Sequence, residues 1–163
     1  MANLTTLAIE LGAVLQARNL TLALAESCTG GMAAQAVTSV AGSSAWFDRG
    51  FVVYSNQAKT DMLNVSKHLL ETVGAVSEEV AAALANGVIH HSDANIAASI
   101  TGIAGPSGGT HEKPVGTVCF GFCYKKQVFT ATQHYSGNRE SIRMQSVEYV
   151  LKQLVALSLN GKL

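Results

Sequence analysis

A chain of 163 residues with 48% apolar and 13% charged side chains fits one domain, spanning 1–163, and buries roughly two thirds of its unfolded surface. Its 11 basic and 11 acidic residues cancel, which argues against the basic face of a nucleic-acid binder. A charged share about half the usual ~25% predicts a homo-oligomer.

No apolar stretch approaches the roughly 20 residues of a membrane span. The N-terminus lacks a basic start and reaches Glu10 early, so it does not read as a signal peptide. No membrane partner is expected, and cytoplasm is the default. The cysteines are Cys28, Cys119 and Cys123, an odd number without framework or metal spacing. Cys119 and Cys123, four apart in one strand, would lie ~13 Å from each other, beyond disulfide reach. Five histidines (His68, His90, His91, His111 and His134) are scattered, and no metal is expected.

In chain order, Leu4, Leu7, Ala8, Leu11 and Leu15 recur at helical spacing and predict a first helix ending near Asn19. A buried strand follows from Thr21 to Glu26, then a helix from Gly31 to Val40, broken by Ala41-Gly42-Ser43-Ser44. Phe51 to Tyr54 reads as a second strand, with short helices at Asn56–Leu63 and near Ser66–Thr72. Ser77, followed by Glu78 and Glu79, is a good N-cap, and Val80, Leu84 and Val88 mark the buried face of its helix. Ile96 to Ile100 is a third strand. Gly116–Tyr124 and Gln127–Tyr135, joined by a tight polar link, predict an antiparallel hairpin. A last helix covers Arg139 to Leu159, with Ile142, Val150, Leu154 and Leu157 inward. This order predicts an α/β fold of three layers (α/β/α). Its sheet is mixed and largely parallel, with an antiparallel hairpin in the C-terminal half.

Three segments carry candidate chemistry. In Ala25-Glu26-Ser27-Cys28-Thr29-Gly30-Gly31, a strand stops at a hydroxyl and a thiol before two glycines open a helix. Such a turn can hold a nucleophile beside free amides that stabilise an anion. Ser27 can equally be a helix cap. Cys28 lacks a histidine to activate it, and Thr29 can itself be the N-cap. In Tyr54-Ser55-Asn56-Gln57-Ala58-Lys59, the lysine can serve as a base if burial holds it neutral, with the Tyr54 hydroxyl relaying the proton. The alternative is a solvated helix lysine and an interface tyrosine.

The glycine-rich loop Thr101 to Thr110 lacks a P-loop ending but can form an anion nest; an ordinary loop is the other reading. Arg139 falls in a helix's first turn, where cations are disfavoured. It and Arg143, one turn on, suggest an anionic partner; salt bridges to Glu140 or Glu148 are the alternative.

Together these segments resemble the family of the C-terminal domain of the competence/damage-inducible protein CinA, whose stand-alone members are nicotinamide mononucleotide (NMN) amidases. The resemblance runs through Ala25–Gly31, Ala41–Ser44, Gly50–Lys59, Gly74–Ser77, Thr101–Gly105, Lys113–Val118 and Gly137–Arg143. It implies a serine nucleophile at Ser27, with Tyr54 and Lys59 as its partners. It also implies substrate contacts at Gly42, Thr101 and one arginine, Arg139 or Arg143, with Arg139 preferred. On that reading amides of Cys28, Thr29 and Gly30 hold the oxyanion. The Thr101–Gly109 loop, including Gly102 and Gly105, and Arg139 hold the phosphate. No metal or organic cofactor is required. The competing class is a catalytically silent nucleotide-binding or scaffold domain.

Overall fold

The computed structural model describes residues 3–163. In chain order the elements are α1 (Leu4–Ala17), β1 (Leu22–Glu26), α2 (Met32–Thr38), a 3-10 turn (Ser43–Ala45), β2 (Phe47–Val52), α3 (Asn56–Leu63), α4 (Lys67–Val73), α5 (Glu78–His90), β3 (Ile96–Gly102), β4 (Thr117–Tyr124), β5 (Gln127–His134) and α6 (Arg139–Asn160). The sheet order is β2-β1-β3-β4-β5. β1 pairs in parallel with both β2 and β3, and the β3–β4 and β4–β5 pairs are antiparallel. The mixed α/β sheet and its late hairpin are as expected from sequence.

The second strand differs from expectation. It spans Phe47–Val52 rather than 51–54, because it is an edge strand: Asp48 is skipped at a shift in register, and Arg49 and Gly50 break the apolar pattern yet pair with Ala23 and Leu24 of β1. Its Asp48–Arg49 ion pair, at 2.8 Å, puts charge on an otherwise open edge.

Alternation along β1 decides which helix packs where. Leu22 and Leu24 face α1, α2 and α6 with Ile96, Ile100, Phe120 and Phe122. Ala23 and Ala25 face α5 with Ala97, so that surface is shallow and α5 approaches closely. Ser99 Oγ donates to the Ala81 carbonyl at 2.6 Å, and a Cβ on Gly121 would lie 2.2 Å from the same oxygen. Helices on both faces complete the three layers.

The chain leaves β1 through α2 to reach β2 on one side, and returns through α3–α5 to β3 on the other. Strand order therefore reverses at β1, and a crevice opens beyond its C-terminal end, where open α/β sheets bind ligands.

Candidate active site

Ser27 follows the last residue of β1, and its amide donates to Ile100 O at 2.9 Å, so the serine is held in register with the sheet. The chain then turns sharply through Gly30 (φ +57°) and Gly31 (φ +101°) into α2, a left-handed path open to glycine. The buried Glu26 carboxylate reaches across this turn and accepts the Ala33 and Ala34 amides at 2.8 and 3.0 Å. It therefore caps α2 in place of Ser27 or Thr29, and the helix-start amides are not free as expected. Gly30 N–H is also committed, to Ser27 O at 3.1 Å. Among the described residues no backbone carbonyl takes the amides of Cys28 and Thr29, which leaves these two for an oxyanion.

Lys59 reaches the same point from α3. Ser55 caps that helix by accepting the Ala58 amide at 3.0 Å, and side chains on a helix lean toward its N-terminus. Lys59 Nζ accordingly lies 3.1 Å from Ser27 Oγ, 3.1 Å from Val53 O and 3.3 Å from Tyr54 O. It is 1% exposed, which excludes the solvated-lysine alternative, and no carboxylate pairs with it among the described residues. Burial without a counter-charge holds its pKa below the usual lysine value. A neutral amine suits this cage: its two N–H groups satisfy the two carbonyls and its lone pair faces the Ser27 hydroxyl.

Tyr54 departs from the expected relay. Its side chain is 61% exposed, and its hydroxyl accepts from Arg139 Nη2 at 3.2 Å. What Tyr54 offers the lysine is its main-chain carbonyl. Arg139 is the first residue of α6, behind the Asn138 cap, and its Nη1 donates to Gly105 O at 2.8 Å. Ser27, Cys28, Tyr54, Asn56, Lys59, Ala75, Val76, Thr101, Gly102, Ala104 and Arg139 line one cavity of about 210 Å³. Thr101 is buried, its hydroxyl donating to Ala75 O at 2.9 Å. A Cβ on Gly102 would meet Val118 Cγ2 at 2.8 Å.

Other expected residues stand elsewhere. Arg143 grips the Ser27–Gly31 turn from behind, donating to the carbonyls of Cys28 and Thr29 at 3.0 Å each. The Thr29 side chain is fully buried with its hydroxyl unpaired. Gly105 enters through its carbonyl alone. Gly42 is not brought to the cavity: it precedes the 3-10 turn that leads to Trp46, whose carbonyl binds the Leu22 amide at the start of β1. That is the opposite end of the sheet from Ser27, about 15 Å away along the five residues of β1. The Cys28 thiol is pushed up to about 11 by burial, which makes it a poor nucleophile.

Sequence reasoning missed Glu26, Asn56, Ala75 and Val76. An acid closing an apolar strand just before a helix was the available signal for Glu26. Asn56 follows the Ser55 cap directly.

The CinA C-terminal domain family matches residues 4–158. The nicotinamide-nucleotide amidohydrolase PncC of Enterobacter agglomerans is 54% identical over 147 residues, covering 90% of each chain. Its namesake from Escherichia coli K12 is 47% identical over 94% of this chain and 93% of its own. A crystal structure of the competence/damage inducible protein CihA from Agrobacterium tumefaciens superposes with a TM-score of 0.93 at 43% identity, covering 96% of both chains.

Proposed function

We propose that this chain, which belongs to the CinA C-terminal domain family, deamidates nicotinamide mononucleotide to nicotinic acid mononucleotide and ammonia. The relatives named nicotinamide-nucleotide amidohydrolase support the substrate class. The observation that carries the chemistry is the 3.1 Å approach of the buried Lys59 amine to Ser27 Oγ.

In the proposed reaction, neutral Lys59 accepts the Ser27 proton as Oγ attacks the carboxamide carbon. The new oxyanion points to the Cys28 and Thr29 amides, each such donor typically contributing about 3–4 kcal/mol. Lysine then returns the proton to the leaving nitrogen, and ammonia departs from an acyl-serine. Water, deprotonated by the same amine, attacks the ester; the C–Oγ bond breaks as Lys59 passes that proton to Ser27 Oγ, and the acid leaves, ionising to the carboxylate. The chain's own groups supply every proton transfer.

A cavity of about 210 Å³ is smaller than the ~300–1,000 Å³ usual for whole ligands. It suits the pyridine ring and its carboxamide, with ribose and phosphate lying outward over Arg139 and the Thr101–Gly109 loop. The same reading places the protein in the cytoplasm as a homo-oligomer, a state that light scattering measures.

Ser27→Ala tests the covalent route. Ammonia release from NMN should vanish while nucleotide binding persists, and a brief quench of the wild-type reaction should give the acyl-enzyme mass. Retained turnover in Ser27→Ala rejects the mechanism; wild-type binding without turnover assigns a silent module instead.

A further inference from the structure

The opposite end of the sheet holds a second, larger cavity of about 990 Å³, bounded by the ends of α1 and α5 and by the β4–β5 turn. Arg18, His90, Lys125 and Lys126 line it, and no carboxylate does. By contrast, the large groove beside the candidate active site is lined by Glu78, Glu79 and Glu112.

Two of these residues have a local reason to be there. Arg18 caps the C-terminus of α1 and His90 lies in the last turn of α5, where a helix dipole favours positive charge. The two lysines have none. Tyr124 pairs with Gln127, so Lys125 and Lys126 form a two-residue hairpin loop with φ +52° and +62°. That left-handed pair is the type I′ turn, which Asn-Gly adopts without strain and long side chains adopt against their preference. The Lys125 ammonium sits 5.2 Å from the Tyr124 ring centre. Lys126 has no ion-pair partner among the described residues. Strained, unneutralised cations at the mouth of a roomy cavity with an apolar floor indicate a ligand with concentrated negative charge and a flat or apolar body.

We propose that this cavity binds a nucleotide carrying two or more phosphates, at a site separate from Ser27. The phosphates face Lys125, Lys126 and Arg18, and the remainder lies over Leu20 and Ile89, within reach of the Asn19 and Gln127 amides. The 13 residues of α5 separate the two sites by about 20 Å, so the proposal stands apart from the amidase reading.

The test is calorimetric titration with ADP, which has no carboxamide to hydrolyse. Wild type should bind saturably, more weakly as salt rises. The double change K125N/K126G places the favoured pair in the turn and so keeps the fold. It should weaken ADP at least about tenfold while ammonia release from NMN is unchanged. Arg18→Gln should weaken the same isotherm, and AMP should bind less tightly than ADP. ADP binding that survives K125N/K126G but disappears in Arg139→Gln would belong to the other pocket and overturn the proposal. Absence of saturable binding would also overturn it, as would a DNA duplex binding more tightly than ADP through the same lysines.

Discussion

The Glu26 carboxylate holds the Ala33 and Ala34 amides at 2.8 and 3.0 Å, one residue before the Ser27 hydroxyl. The strand that delivers Ser27 is thus fastened to the helix that follows it. Glu26→Gln can accept only one of the two amides and turns an NH2 group toward the other. It should lower stability by about 1–2 kcal/mol and reduce kcat more than it raises KM. Urea unfolding and ammonia release measure the two effects; an unchanged kcat would show that the turn keeps its shape without the anchor.

In the proposed mechanism Lys59 sets the pH dependence. Only its neutral form accepts a proton, so kcat/KM should rise with pH and level off at a pKa below the ordinary lysine value of 10.5. Lys59→Arg stays charged and should lose about 10²–10⁴-fold at every accessible pH. Linkage has the same sign: with the folded pKa depressed, the unfolded chain holds the extra proton between the two values. Lys59's contribution to stability should therefore increase with pH across that window, by at most ~1.4 kcal/mol per unit. Comparing pH-dependent unfolding of wild type and Lys59→Met isolates that slope.

Tyr54 and Arg139 separate binding from chemistry. Arg139→Gln removes the cation at the cavity rim and should raise KM for NMN about tenfold or more with a smaller change in kcat. Tyr54→Phe keeps the carbonyl that holds Lys59 and should affect kcat far less than Ser27→Ala. A collapse of kcat in Tyr54→Phe as deep as that of the serine variant would restore the proton relay.

Cys28 provides the control. Its thiol, pushed up to about 11, is almost wholly protonated near neutrality and is 7% exposed. Cys28→Ala should keep most of the activity, and iodoacetamide should alkylate the native protein slowly. Rapid alkylation accompanied by inactivation would make the thiol a reactive group.

Elements with strong local signals were legible in the sequence. The Leu22-Ala23-Leu24-Ala25 run gave β1, and Ser77 marked a true cap. The short link after Tyr124 gave the hairpin. The start of β2 was placed four residues late because an edge strand can carry Asp48, Arg49 and Gly50 where a central strand cannot.

The site was legible at Ser27, Lys59, Thr101 and Arg139, but less so in what each group does. Gly42 was assigned by motif alone; α2 carries the chain about 10 Å back along its seven residues, away from the crevice. Glu26 escaped notice because a capping group seven residues upstream, across two left-handed glycines, leaves no periodic trace. The Tyr54 role shifted from ring to backbone, which no side-chain pattern encodes.

The cage around the Lys59 amine is made of the carbonyls of residues 53 and 54, and main-chain atoms do not change with residue type. An exchange at Tyr54 should therefore leave the cage standing, whereas Val53, fully buried in the core, should accept only apolar residues of similar size. Proline insertion or a single deletion between Val52 and Lys59 should be lethal to turnover, because it rotates the cage out of alignment. The length of the segment therefore constrains the cage more than the side chain at position 54 does.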